Sequence, residues 1–254
     1  MEINFSSIKL KWVGKIMISN TDKEDWWEIW QHHLSEYLKS VPRAGIFINE
    51  YFPSVRKILE VACGSSKDSI YLAKKGFLVI ATDYEKRLIN YLKERFRYTN
   101  LLYLPADAFK LPFKDDAFDL VFHNGFFVLF NKNEDIYELL KEQARVSKKF
   151  ILFFVHNKLN SNLVQNFSKL ALSDRLYKIR FFEPKEVLEI INHSEIKPRV
   201  VKIMKFGGPF DVFFSKKSLK LLYPLTAKII PKLYQIQAWE KTERIACLIE
   251  LNKK

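Results

Sequence analysis

Residues 57–76 (KILEVACGSSKDSIYLAKKG) constrain the fold of this chain more than any other segment. Three of the four residues at 58–61 are apolar and show no polar alternation, which is typical of a strand in a parallel sheet covered on both faces. Gly64 stands where the chain must turn sharply, and residues 68–75 have a helical spacing that Gly76 can end. The segment therefore predicts a buried strand, a tight turn and a helix.

A second apolar run, residues 77–82, follows at once and ends on Asp83. Because parallel strands share their carboxyl-end edge, we expect Asp83 and Glu60 to lie at the same edge of the sheet. A carboxylate there can accept two hydrogen bonds from a ribose diol. The two runs predict half of a mononucleotide-binding sheet, with an ordinary strand–helix–strand unit carrying two solvated acids as the alternative.

Two further strands are predicted downstream. Residues 100–104 are followed by Asp107, and the run FDLVFHNG at 118–125 ends in a turn. With these elements in order, residues 56–205 resemble the class I S-adenosylmethionine-dependent methyltransferases. The segment FFEPKEVL at 181–188 is similar to the small-molecule branch, typified by ubiquinone- and menaquinone-biosynthesis methyltransferases.

The resemblance implies an α/β fold: a Rossmann-like, doubly wound, mostly parallel seven-stranded sheet with an antiparallel last strand. It also implies an N-terminal helical cover and a helical insertion before the last strand. We expect residues 1–52 to form an arm and the helical cover. Residues 53–254 are expected to form the methyltransferase domain, with insertions at about 157–180 and 207–243.

The same resemblance implies S-adenosyl-L-methionine as the cofactor. Three acids would carry polar contacts: Glu60 to the amino end of the methionine part, Asp83 to the ribose and Asp107 to the adenine amino group. The other expected cofactor-binding residues flank them at the strand ends: Ala62, Gly64, Tyr84, Ala108, Asn124 and Gly125. Gly64 would let the methionine part approach the backbone, and Tyr84 would pack on the adenine.

The turn after the first strand departs from the family pattern. Glu/Asp-x-Gly-x-Gly-x-Gly reads here as Glu60, Ala62, Gly64 and Ser66, so one glycine of three remains. A left-handed backbone at Ala62 or Ser66 would be strained. The missing glycines also disfavour a dinucleotide enzyme, whose G-x-G-x-x-G motif needs them for pyrophosphate approach and helix packing.

An aromatic stripe occupies the helix predicted after a capping box at residues 21–24. Trp26, Trp27 and Trp30 belong to it, and such stripes more often pack than bind ligands. In the resembled family the N-terminal helix often covers the site, so these tryptophans are expected to form a substrate lid. Phe210 and Phe213, in the aromatic and lysine-rich insertion, are expected to complete it.

No general base can be assigned from the sequence. His123 and His156 close the fourth and fifth predicted strands and are the two candidates, with ordinary packed histidines as the alternative reading. No His/Asp/Glu cluster has metal-ligand spacing, so no metal is expected.

Charge is unevenly distributed along the chain. Residues 1–140 carry 19 basic and 19 acidic residues, whereas residues 141–254 carry 23 basic and 10 acidic residues. This asymmetry favours an anionic partner, which could be a substrate, nucleic acid or an acidic lipid surface; a solvated lysine-rich face is the alternative.

Cellular location is predicted from what the sequence lacks. Two cysteines form neither a disulfide framework nor a zinc site, which suits a reducing compartment. No apolar signal-peptide core and no run of ~18 apolar residues is present. We expect a cytoplasmic protein without a transmembrane segment, with peripheral membrane contact left open and no indication of oligomeric state.

The sequence thus predicts a methyltransferase for a small-molecule acceptor, apolar or anionic. Two alternatives stay open. One is an RNA or protein methyltransferase that uses the basic C-terminal part, and the other is a non-catalytic adenosine-cofactor-binding module. Nucleic acid is not favoured, because no recognised RNA-binding module lies outside the core.

Overall fold

A computed structural model describes residues 26–211 and 223–253. Its centre is a seven-stranded sheet in the order β3-β2-β1-β4-β5-β7-β6. The strands are β1 Lys57–Glu60, β2 Leu78–Asp83, β3 Leu101–Pro105, β4 Phe118–Asn124, β5 Ser147–His156, β6 Pro198–Phe206 and β7 Arg244–Leu251. Strand β7 pairs antiparallel with β5 and β6, and the remaining pairs are parallel. The predicted Rossmann-like sheet is confirmed.

Helices cover both faces of this sheet. Those described are α1 Trp26–Lys39, α2 Arg43–Tyr51, α3 Lys67–Lys74, α4 Lys86–Arg95, α5 Asn133–Val146, α6 Ser161–Leu170, α7 Pro184–His193 and α8 Tyr223–Ile236. Helices α1 to α4 and α8 share one hydrophobic cluster with the sheet. Helices α5 and α7 contribute to the cluster on the opposite face. Strands β1 and β4 therefore mark the point where the connections change face, which is where ligands bind in open α/β sheets.

Local sequence signals account for the helix starts that flank the site. Glu85 precedes α4 and its carboxylate accepts the backbone N–H of Arg87 at 3.0 Å. Helix α7 begins with a proline and a capping box between Glu183 and Glu186. Such caps satisfy N–H groups that have no partner inside the helix, which fixes where each helix begins.

Several expectations lie outside the described residues or stay predictions. The capping box at 21–24 and Phe213 fall outside the described part of the chain. The division of the chain at residues 52 and 53 stays a prediction. Within 26–211 and 223–253, no helix is long and apolar enough to cross a membrane, and no cluster of His, Cys, Asp or Glu could hold a metal ion.

Candidate active site

A cavity of about 460 Å³ opens at the carboxyl ends of β1, β2 and β4. Eight of the nine expected cofactor-binding residues line it: Ala62, Gly64, Asp83, Tyr84, Asp107, Ala108, Asn124 and Gly125. They come from separate loops, and the parallel sheet brings them to one edge. The ninth, Glu60, does not form part of the wall.

Asp83 is fixed at the tip of β2 by two backbone donors. Its Oδ2 accepts the N–H of Gly64 at 2.9 Å, and its Oδ1 accepts the N–H of Glu85 at 3.0 Å. Burial raises the pKa of Asp83, and these two N–H groups oppose the rise by stabilising the charged form. Each carboxylate oxygen keeps a further lone pair that can accept from a ligand hydroxyl.

Asp107 occupies the neighbouring position after β3. Its Oδ1 accepts the N–H of Phe109 at 2.9 Å, an Asx-type turn that orients the carboxyl group. Tyr84, whose side chain is substantially exposed, stands at the rim between the two acids. These three residues bring two carboxyl groups and an aromatic ring to the cavity wall.

Glu60 faces α3 instead of the cavity. It is buried and accepts a hydrogen bond from the Ser69 hydroxyl at 2.5 Å. Burial and the nearby Asp68 raise its pKa well above the usual range. Glu60 does not line the cavity, and its expected contact with the amino end of a cofactor, directly or through water, stays a prediction.

Asp68 contacts a cavity residue, although the sequence analysis did not identify it as part of the site. Its Oδ1 accepts the N–H of Gly45 at 2.8 Å, which ties α2 to α3. Its Oδ2 accepts from the amide nitrogen of Asn124 at 3.2 Å, and Asn124 itself lines the cavity. Asp68 thus orients the amide at the tip of β4.

The turn after β1 has a left-handed backbone at all three positions of the glycine-rich pattern, although only one of them is a glycine. Ala62, Gly64 and Ser66 have φ values of 51°, 50° and 55°. A left-handed backbone costs a non-glycine residue about 1–2 kcal/mol. The predicted strain is therefore present at both substituted positions, beside the cavity, where strain often marks a functional turn.

Trp30 fills the space that Gly64 leaves open. A Cβ at position 64 would collide with the indole ring of Trp30. The expected role of Gly64 was to let a methionine moiety approach the backbone, but here the covering helix α1 makes that close approach. Gly64 still lines the cavity beside the indole.

Two of the four described residues of the expected lid line the cavity, and the lid itself stays a prediction. Trp26 and Trp30 line the cavity, whereas Trp27 packs on the ring of Tyr91 with centroids 5.9 Å apart. Phe210 packs against the core and is absent from the cavity wall.

The segment after β5 supplies further wall residues, which the sequence analysis missed. Phe167, Leu176, Tyr177 and Ile179 line the cavity there. The ion-pair contact between His33 Nε2 and Asp174 Oδ2, at 2.8 Å, joins α1 to this segment. The alternation of aromatic and polar residues in 160–181 was the available signal.

The two candidate histidines have different surroundings. His123 is fully buried against Phe127 and Phe153, with ring centroids 4.1 and 5.5 Å away, and burial lowers its pKa to about 3. It does not reach the cavity wall. His156 does line the cavity, and burial together with Arg244 lowers its pKa well below the usual value. Of the two candidate histidines, His156 is therefore the one that lines the cavity, and its imidazole is neutral and weakly basic.

Arg244 is another wall residue that the sequence analysis missed. It begins β7, and its Nη1 donates to the amide oxygen of Asn124. Asp83 and Asp107 line the same cavity but follow β2 and β3, whereas Arg244 begins β7, on the other side of β1, β4 and β5 in the strand order. The wall therefore carries acids toward β3 and an arginine toward β7.

Known proteins resemble this chain in sequence and fold. Residues 59–153 match a family model described as a methyltransferase domain. The chain is 31% identical over 116 residues to a putative methyltransferase, YqeM, of Bacillus subtilis, which covers 44% of this chain and 47% of that protein. It is 36% identical over 66 residues to a demethylmenaquinone methyltransferase of Streptomyces avermitilis, covering 26% of this chain and 28% of that protein.

The matches span less than half the length of these curated relatives. A crystal structure of a SAM-dependent methyltransferase from Archaeoglobus fulgidus shares the fold, with a TM-score of 0.58 and 18% identity over 87% of this chain and 99% of that one. The matched region includes the loops after β1 to β4, which line part of this cavity. Residues 59–153 are therefore similar to a methyltransferase domain, and the chain has the fold of solved SAM-dependent methyltransferases.

Proposed function

We propose that this protein transfers a methyl group from S-adenosylmethionine to a small-molecule acceptor. The observation that carries the proposal is the two-ended cavity. One end presents Asp83 and Asp107 at the tips of adjacent strands, and the other is walled by aromatic and aliphatic side chains from α1 and the segment after β5. The acidic end suits an adenosine, and the aromatic and aliphatic end suits an apolar acceptor.

The residues at the acidic end suit the cofactor. Asp83 is held by two backbone N–H groups, so its carboxylate is oriented before a ribose arrives. Asp107 is held by one such bond and can accept from an exocyclic amino group. When bound, S-adenosylmethionine supplies the activated methyl group, so the chain contributes orientation and exclusion of water.

The walls at the other end exclude water from the reacting groups. Trp26 and Trp30 of α1 and Phe167 and Tyr177 of the segment after β5 line the cavity together. The contact between His33 and Asp174 joins α1 to that segment. A pocket of this size and mixed lining is typical of small-molecule sites.

Nucleic acid and protein acceptors are the competing classes, because residues 141–254 are strongly basic. Several of those cations are already engaged by acids: Arg180 by Glu186 at 2.6 Å and Lys253 by Asp116 at 2.5 Å. Such pairing reduces the charge that could meet a phosphate backbone. This favours the small-molecule acceptor.

Calorimetry with S-adenosylhomocysteine tests the cofactor site. Asp83→Ala and Asp107→Ala should each weaken binding at least about tenfold, because charge-assisted hydrogen bonds contribute ~1.5–3 kcal/mol. Asp115→Ala is the matched control, since that carboxylate is exposed and pairs with Arg145 outside the cavity. If Asp83→Ala is folded, as verified by circular dichroism, and binds S-adenosylhomocysteine with unchanged affinity, the proposed cofactor site is wrong.

A further inference from the structure

We propose that Arg244 binds a carboxylate of the methyl acceptor, so that the acceptor is an apolar or aromatic carboxylic acid. This inference rests on the proposed function and specifies its substrate class. It follows from where Arg244 stands, which of its donors are engaged, and what surrounds it.

Arg244 stands at the end of the cavity away from the adenosine-binding acids. It pairs with His156 on β5 and with Phe206 on β6. Strands β1, β4 and β5 lie between β7 and β2, so the backbone of Arg244 is about 19 Å from that of Asp83 at the usual ~4.8 Å strand spacing. The side chain reaches back toward β4, where Nη1 lies 3.7 Å from the position that a Cβ of Gly125 would take.

The charge of Arg244 is only partly compensated. Its Nε contacts Glu243 Oε1 at 3.3 Å, but both oxygens of Glu243 already accept from Arg43, at 2.7 and 2.8 Å. Its Nη1 donates to the neutral amide of Asn124. Within residues 26–211 and 223–253, no acceptor is recorded for Nη2. A guanidinium with five donors and a shared carboxylate can therefore bind one more anion.

Arg244 is also the sole lysine or arginine in the wall as far as the described residues form it. Its side chain is 16% exposed, so its field is less screened than that of a surface cation. An anion that enters this cavity thus meets one defined cation. The two acids at the far end disfavour an anion there and so reinforce the direction of binding.

The neighbours of Arg244 suit an acid with an apolar body. Burial raises the pKa of Tyr37, so its hydroxyl keeps the proton and can donate. His156 is neutral and adds no competing negative charge. Phe167, Leu176 and Ile179 complete the wall around them and would contact the apolar part of the acceptor.

The test compares carboxylates with their matched alcohols. Benzoate, 2-naphthoate and decanoate are titrated against benzyl alcohol, 2-naphthylmethanol and decanol, with S-adenosylhomocysteine present and binding followed by calorimetry. The wild type should bind at least one acid about tenfold more tightly than its alcohol, since charge-assisted hydrogen bonds are worth at least that factor. Arg244→Gln should abolish this preference while leaving alcohol binding unchanged.

Two further variants separate a binding role from a structural one. Arg244→Lys keeps the charge without the planar fork and should show an intermediate preference. Arg145→Gln is the matched control: that arginine pairs with Glu142 and Asp115 away from the cavity, and its loss should leave the preference intact. Melting temperatures of all variants show whether each one folds.

Three results would overturn the inference. The first is that no acid is preferred over its alcohol by the wild type. The second is an undiminished preference in Arg244→Gln and Arg244→Lys. The third is a loss of affinity for S-adenosylhomocysteine in Arg244→Gln without a loss for 5′-methylthioadenosine, which lacks the amino-acid carboxylate; this would assign Arg244 to the cofactor. Failure of the proposed function is a separate result, seen as absence of S-adenosylhomocysteine binding by the wild type.

Discussion

The indole of Trp30 lies against the α-carbon of Gly64, in the space that a side chain at position 64 would need. This contact joins the covering helix α1 to the turn after β1, and both residues line the cavity. Gly64 also has a left-handed backbone, with φ of +50°. Two independent reasons therefore restrict position 64 to glycine.

The first prediction separates those two reasons. Gly64→Ala should lose about 1–2 kcal/mol from backbone strain and a further ~1–3 kcal/mol from overpacking against Trp30. Gly76→Ala is the matched control, because Gly76 has φ of +91° but no atom within 4 Å of its would-be Cβ. Urea denaturation should show the larger loss for Gly64→Ala, and Trp30→Ala in the same chain should recover part of it. Equal losses of unfolding free energy in the two variants would mean that the Trp30 side chain moves aside without a measurable cost.

The convergence of Asp83 and Asp107 on one cavity, the proposed cofactor end, could be predicted because its signals are local. Asp83 and Asp107 each follow an apolar run directly, and the rule that parallel strands share an edge brings them together. Glu60 obeys the same pattern, yet it turns toward Ser69 on α3. Glu60 is level with Ala81, two residues before the end of β2, so its carboxyl group lies deeper below the sheet edge than that of Asp83.

The acceptor end could not be predicted in the same way. Arg244 reaches the site through the antiparallel register that pairs it with His156, almost ninety residues earlier in the chain. Nothing near either residue in sequence encodes that pairing. Likewise, Phe167 and Phe210 lie in segments of similar aromatic character, and packing alone decides that Phe167 lines the cavity while Phe210 joins the core.

The second prediction uses the different positions of neighbouring tryptophans. Trp30 lines the cavity, whereas Trp27 packs on Tyr91 outside it. Adding S-adenosylhomocysteine should therefore change the intrinsic fluorescence of the wild type and of Trp27→Phe. In Trp30→Phe the change should fall markedly. A signal that survives in Trp30→Phe and disappears in Trp27→Phe would contradict the position given to α1.

The third prediction concerns strain at Ala62, whose φ is 51°. Ala62→Gly removes the strain of a left-handed alanine, which should stabilise the folded protein by about 1–2 kcal/mol. The added glycine also raises the entropy of the unfolded chain, which costs ~0.4–1 kcal/mol of stability. The variant should therefore be more stable by roughly 0.5–1 kcal/mol in urea denaturation. Ala73→Gly, in the last turn of helix α3, should instead lose stability, because it removes a buried methyl group and adds backbone entropy to the unfolded chain. A less stable Ala62→Gly protein would show that the turn does not hold alanine in a strained conformation.

The fourth prediction concerns pH and the fully buried His123. Burial lowers its pKa from the ordinary 6.5 to about 3, so between these values the unfolded chain binds a proton that the folded chain does not. The free energy of unfolding must therefore fall as pH drops below about 6.5, by about 2 kcal/mol at pH 5 from this residue alone. His123→Phe should remove that part of the pH dependence, whatever its effect on stability at neutral pH. Urea denaturation at pH 5 and pH 7.5 measures it, with His32→Phe, at an exposed position of α1, as the control that keeps the wild-type slope. An unchanged slope in His123→Phe would mean that the imidazole takes up a proton in the folded protein and is therefore reached by water.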